Sequence, residues 1–161
     1  MRDILDHCGD IPLERFDAGA VMLEEGQWSG RLLVLEEGEV EVLRGDTRVA
    51  LIAEPGSMFG EMSVLLDVPH TATVRALSPV TARLADDGAA FLKRHPEIAF
   101  FLARLLAQRL NAATTYLVDI KQQFEGHGDH LGMVGEVLDA LIHNQQDDFT
   151  PGSDREPDPR M

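Results

Sequence analysis

Between residues 16 and about 84, short apolar runs alternate with glycine-marked turns, and this rhythm restricts the stretch to an all-β sandwich or barrel. Arg31-Leu32-Leu33-Val34-Leu35 and Glu39-Val40-Glu41-Val42-Leu43 read as strands joined through the turn Glu36-Glu37-Gly38. In the second, acids alternate with Val40 and Val42, which predicts one face in the core and one in water. Arg44-Gly45-Asp46 supplies the next hairpin, before a strand around 49–52. Residues 71–76 and 80–84 complete the β set.

After Asp86, glycine and β-branched residues thin out, and Ala, Leu, Arg and Gln dominate residues 89–124. Pro96 suits the first turn of a helix, where its missing N–H would have had no partner, so a long helix is predicted over about 96–124. Leu106, Leu110, Ala113, Leu117, Ile120 and Phe124 follow a 4-3-4-3-4 spacing, the rhythm of a helix seam. The stripe is expected to carry a homodimer contact, with packing on the β part as the alternative. Glu125-Gly126-His127-Gly128-Asp129 breaks the helix. A second amphipathic segment follows, with Leu131, Val134, Val137, Leu138, Leu141 and Ile142 at helical intervals, suited to capping a dimer or docking on a partner. The acidic, Pro-containing tail from Asp147 is expected to be disordered. The domain division expected is 1–125, a further helix over 126–146, and a tail over 147–161.

Charge narrows the function. Across 161 residues, 28 acidic against 14 basic side chains give a net charge of −14, a field that repels phosphate backbones and anionic lipid. No nucleic acid or membrane is expected as a partner. No apolar run approaches the ~20 residues of a membrane span, and Met-Arg-Asp opens without a signal-peptide stretch, so a cytoplasmic location is expected. The one cysteine, Cys8, excludes an internal disulfide and reads as a plain thiol. His127-Gly128-Asp129-His130 has metal-ligand residue types, but without a third or fourth ligand nearby it reads as a solvated loop. Trp28 reads as a rim aromatic, and Phe91, Phe100 and Phe101 as packing between helices and β part. No activated Ser, Cys or Lys constellation is visible, so a non-enzyme is expected.

The most informative stretch is Phe59-Gly60-Glu61-Met62-Ser63-Val64-Leu65-Leu66-Asp67-Val68-Pro69-His70-Thr71-Ala72-Thr73-Val74. It offers a glycine for a close backbone turn, a helical turn beginning at Glu61, and a Pro-containing loop feeding a strand. A helix start presents amides suited to a phosphate, and a neighbouring carboxylate accepts from a ribose hydroxyl. The stretch closely resembles the phosphate-binding cassette of cyclic nucleotide-binding domains, whose pattern is Phe-Gly-Glu, a small residue, aliphatics, then Pro-Arg-(Ser/Thr/Ala)-Ala-(Thr/Ser)-Val. The resemblance extends over about 13–120, including the turn glycines Gly26, Gly38 and Gly56. It implies a mainly β fold with α: a double-stranded β-helix, a jelly-roll-like β-roll, with a short N-terminal helix and long C-terminal helices.

The resemblance also implies a ligand, cAMP or cGMP, with no separate cofactor. Gly60, Glu61, Met62 and Ser63 match the turn that meets the cyclic phosphate and ribose, with Glu61 as acceptor of the 2′-hydroxyl. Thr71 and Ala72 match positions that hold the phosphate. Arg109 matches an arginine that in some members pairs with this glutamate, and Thr114, beside Ala113, matches a position that presents a polar group to the base. The departure is His70, which stands where the family carries its phosphate-binding arginine. Histidine is shorter, offers one suitable donor and is mostly neutral at pH 7. Arg75 is a poor substitute, since strand alternation puts it on the other face. The function expected is a cytoplasmic cyclic-nucleotide sensor acting through its C-terminal helices on an unidentified protein partner. The alternative is a ligand-independent interaction module with a degenerate pocket. The cupin roll, which needs paired metal-binding histidines, is disfavoured because no histidine lies between His7 and His70.

Overall fold

The computed structural model describes residues 2–123 and 129–143. They divide into two compact units, one up to Phe101 and one from Leu102 onward.

The first unit opens with a 3-10 helix, Arg2–His7, and then builds eight strands: β1 (Leu13–Phe16), β2 (Val21–Leu23), β3 (Leu32–Glu37), β4 (Val40–Arg44), β5 (Thr47–Ile52), β6 (Met58–Phe59), β7 (Thr73–Ala76) and β8 (Val80–Ala85). One sheet runs β1-β8-β3-β6 and the other β2-β7-β4-β5, with every pairing antiparallel. First pairs with last, second with seventh, third with sixth and fourth with fifth, which is the nested order of a jelly roll. The expected fold class is the one found. Both sheets feed one core: Leu33, Leu35, Phe59, Val80, Ala82 and Leu84 from the first meet Met22, Leu23, Val40, Val74 and Ala76 from the second.

The predicted strands fall where the alternation put them, while β1, β2 and β6 are too short to announce themselves individually. Gly38 turns β3 into β4 at φ 107°, and a Cβ there would lie 2.5 Å from the Pro79 carbonyl oxygen, so no other residue fits this turn. Two helices belong to the same unit: α1 (Glu61–Leu66) and α2 (Gly88–Arg94). They pack closely, since a Cβ at Gly88 would lie 2.8 Å from Val64 Cγ2. Asp87 caps α2 by accepting from the Ala90 N–H at 3.0 Å. Phe91 is fully buried, as expected of a packing aromatic, but Phe100 is 67% exposed and does not pack.

The long helix α3 spans Pro96–Gln123, starting at the proline as predicted, and its later part belongs to the second unit with α4 (Asp129–His143). Leu110 on the seam is largely exposed, while Leu106, Leu117 and Ile120 are partly buried. Phe124, the predicted break after it, and the acidic tail lie outside the described residues. Among the described residues no helix is long and apolar enough to cross a membrane, and no group of histidine, cysteine and carboxylate side chains could hold a metal ion. Cys8 is buried, its thiol donating to the Ile4 carbonyl at 3.3 Å, and burial pushes its pKa up to about 11.

Candidate ligand-binding site

The cassette is built between β6 and β7. Met58 and Phe59 are buried and pair with Val34 and Leu33, which carries the chain to the edge of the core before it turns. Gly60 makes that turn at φ 92°, ψ 0° and serves as the N-cap of α1. A Cβ at Gly60 would overlap the Arg31 carbonyl oxygen and lie 3.3 Å from Leu23 Cδ1, so glycine is obligatory on two independent grounds. Helical pairing begins with the Val64 N–H donating to the Gly60 carbonyl at 3.1 Å, and the amides of Glu61, Met62 and Ser63 precede it as the first turn.

Ser63 does not offer its hydroxyl to a ligand. Its side chain is buried and donates to the Val68 carbonyl at 2.5 Å, while its own carbonyl accepts the Val68 N–H at 3.3 Å. Asp67 closes α1 in the left-handed region at φ 55°, its N–H donating to the same Ser63 carbonyl. Ser63 thus locks the loop, and what it can give a ligand is backbone.

The second half of the cassette is pinned by contacts that spacing does not reveal. The His70 N–H donates to the Gln27 carbonyl and the His70 carbonyl accepts the Gly26 N–H, each at 2.9 Å. Its imidazole is only 4% exposed, with Nε2 2.6 Å from Ser29 Oγ, and burial pushes the ring below the ordinary histidine range. The Thr71 carbonyl accepts from Arg44 Nε at 2.9 Å, and Thr73 Oγ1 accepts the Glu25 N–H at 3.0 Å. Glu25 in turn accepts the Gly45 N–H at 2.8 Å. The turn 25–27, the hairpin 44–45 and the loop 70–73 therefore hold one another. Glu25, Ser29 and Arg44 are site residues that sequence reasoning missed, because their partners are 20 to 48 positions away.

Arg75 does point away, as alternation predicted: Arg75 Nε donates to Glu41 Oε2 at 2.7 Å, and Arg48 Nε to Oε1 at 3.0 Å. Glu41 was expected to face water, but the two guanidiniums cover it; Arg75 and then Arg48 hold its carboxyl below the usual range. Gly60, Glu61, Met62, Ser63, His70, Thr71 and Ala72 are brought together on one continuous turn-helix-loop. Arg109 and Thr114 are carried by α3 within the second unit.

A separate cluster marks the junction of α2 and α3. His95 Nε2 is 3.1 Å from Asp10 Oδ2 and its Nδ1 is 3.5 Å from Glu97 Oε1, which also lies 3.5 Å from His7 Nδ1. The hydrogen bond to His95, then that from Arg94, holds the Asp10 carboxyl below its usual range.

Comparison with known proteins places this geometry. Residues 13–90 match the family model described as the cyclic nucleotide-binding domain. Over 111 residues, 65% of this chain and 50% of the relative, the sequence is 31% identical to a CRP-like cAMP-activated global transcriptional regulator of Mycobacterium tuberculosis. A 69-residue stretch, 40% of this chain and 21% of the relative, is 41% identical to an uncharacterized ABC transporter ATP-binding protein of the same organism. The chain thus spans half or less of these curated relatives. Its fold is that of the Thermus thermophilus catabolite activator protein, with TM-score 0.63 and 20% identity over 91% of this chain and 84% of that one. The N-terminal domain of a transcriptional regulator from Streptomyces coelicolor is similar at TM-score 0.51 and 28% identity, over 68% and 82%. With the nested roll, the glycine-started cassette helix and the matched stretch in agreement, residues 13–90 of this chain belong to the cyclic nucleotide-binding domain family.

Proposed function

We propose that the chain is a cytoplasmic sensor whose roll takes up cAMP or cGMP and whose C-terminal helices pass the bound state to a protein partner. The observation that carries this is the backbone cradle: Gly60 at φ 92°, the first turn of α1, and the pinned 70–72 loop form one unit that glycine and hydrogen bonds pre-shape. In this function Glu61 accepts the ribose 2′-hydroxyl, the amides of Gly60 to Ser63 and of Ala72 meet the cyclic phosphate, and Thr71 adds its hydroxyl. Self-association runs through Leu106, Leu110, Ala113, Leu117 and Ile120.

His70 replaces a permanent charge by a conditional one. Burial pushes the free imidazole toward its neutral form. A phosphate beside the ring nitrogen that Ser29 does not engage favours the imidazolium, so binding takes up a proton and tightens as pH falls. A charge-assisted hydrogen bond contributes about 1.5–3 kcal/mol, so relative to an arginine the site forgoes roughly ten- to more than a hundredfold in affinity.

Ligand-independent docking is the second function, favoured by one observation: His70 is buried and already satisfied by Ser29. Trp28, the single tryptophan, separates the two residues that hold His70, Gln27 and Ser29, so its fluorescence reports on the cassette. Titration with cAMP and cGMP is expected to give a saturable change that 5′-AMP does not reproduce. No change up to millimolar ligand would favour docking without a nucleotide.

A further inference from the structure

His70 is buried, yet one of its ring nitrogens reaches a side chain that is not. His70 is 4% exposed, whereas Ser29 lies exposed on the turn before β3. Ser29 Oγ stands 2.6 Å from His70 Nε2 and also accepts the Arg31 N–H at 3.2 Å. The Arg31 N–H takes one lone pair of that oxygen, which leaves the hydroxyl hydrogen and the second lone pair for the ring or for water. Among the described residues, His70 Nδ1 has no hydrogen-bond partner. A buried polar atom without a partner in its own chain is a place where a ligand or a water supplies one.

A neutral imidazole carries one N–H, so Nε2 and Nδ1 cannot both donate. When the Ser29 hydroxyl donates to Nε2, the ring proton sits on Nδ1. When the ring is an imidazolium, Nε2–H donates to Ser29 Oγ, Nδ1–H remains, and the hydroxyl hydrogen swings to water, which the exposure of Ser29 allows. One proton enters from solvent and none leaves. The same contact serves both charge states, and it is stronger in the charged one, because hydrogen bonds to ions are about twice as strong as neutral ones.

The charged side chains on the segments around the ring are engaged elsewhere or exposed. Glu25 accepts the Gly45 N–H, Arg31 Nε lies 3.4 Å from Asp86 Oδ1, Arg44 donates to the Thr71 carbonyl and Arg75 to Glu41. Glu24 and Asp67 are exposed, and Glu61 opens α1. Burial, rather than any of these charges, is what pushes the ring down.

We propose that Ser29 is the positioning residue through which His70 changes charge: its hydroxyl donates to the neutral ring and accepts from the imidazolium, so that Nδ1–H is left to an anionic phosphate in either state. This deepens the reading of the chain as a cyclic-nucleotide sensor and rests on it for the identity of the phosphate. Ser29 touches the ligand only through His70.

The test compares the full chain with its Ser29→Ala and Ser29→Thr variants across pH. Without ligand, NMR of the imidazole Cε1–H reads the His70 titration, assigned by its loss in His70→Gln. Ser29→Ala is expected to lower the ring's proton affinity about tenfold, since the imidazolium loses a stronger hydrogen bond than the neutral ring does, and Ser29→Thr to restore it. In calorimetry with cAMP and cGMP, Ser29→Ala is expected to lose about tenfold in affinity at pH 6 and about twofold at pH 8. An unchanged titration in Ser29→Ala, or an equal loss of affinity at both pH values, would overturn the proposal and assign Ser29 a purely structural role. The NMR arm needs no ligand, so a lowered proton affinity in Ser29→Ala supports the proposal even where the natural chain binds no nucleotide, and that second result counts against the sensor reading alone.

Discussion

Along residues 58–66 the cassette is shaped by how its backbone packs against the core, whereas along 67–73 it is held by hydrogen bonds to distant turns, several of them through side chains. In the first half Gly60 is held between the Arg31 carbonyl and Leu23, and Ser63 turns its hydroxyl inward, so geometry is set by what the core allows. In the second half His70, Thr71 and Thr73 are tied to Gln27, Ser29, Arg44 and Glu25, and the chemistry depends on which side chains stand there. A roll can thus keep the geometry of its turn while the side chain that stands in the adjoining loop changes. Backbone geometry is protected by packing, and a single loop side chain is not.

The largest effect should come from breaking the backbone half. Gly60→Ala places a Cβ against the Arg31 carbonyl at a positive φ, with a combined strain and overlap cost of about 2–4 kcal/mol. Urea unfolding measures it; a loss near zero would mean that the turn relaxes freely. Next comes the side-chain half: His70→Arg should tighten cAMP or cGMP by roughly ten- to a hundredfold, since a permanent bidentate charge replaces a conditional donor. Unchanged affinity in titrations would remove the loop charge from the explanation.

Smaller effects sharpen the contrast. Ser29→Ala removes the ring partner of His70 and should cost about 0.5–1.5 kcal/mol of stability, read as a lower thermal midpoint. The smallest effect lies outside the cassette, at Asp10. Its carboxyl is depressed by His95, so its contribution is present above the unfolded Asp pKa of about 3.9 and is lost as pH falls through the folded value. Asp10→Asn should therefore differ from the natural chain near neutrality and converge with it in acid, as followed by chemical unfolding across pH. A gap that stays constant with pH would assign the effect to packing alone.

Much of the roll was legible because strand alternation and turn glycines are local signals. The helix starting at Pro96 was legible for the same reason, since proline marks a first turn without help from distant residues. The order of Gly60 through Ala72 was enough to put them on one turn, helix and loop between two strands. Glu41 could not be read as covered, because its lids come from β5 and β7, and alternation alone sends an acid to water. The burial of His70 against Ser29, 41 positions away, was equally invisible. Phe100 was expected to pack between helices and roll with Phe91 and Phe101, but the helix turns it outward.

If a cyclic nucleotide binds through a cradle whose charge is a titrating histidine, its affinity must depend on pH. Calorimetric titration of the full chain with cAMP and cGMP at pH 6 and pH 8, beside His70→Arg, tests it most directly. The prediction is saturable binding by the natural chain, tighter at pH 6 by up to about tenfold per pH unit, and tighter, nearly pH-independent binding by His70→Arg. No binding by either protein at millimolar ligand and both pH values would contradict it.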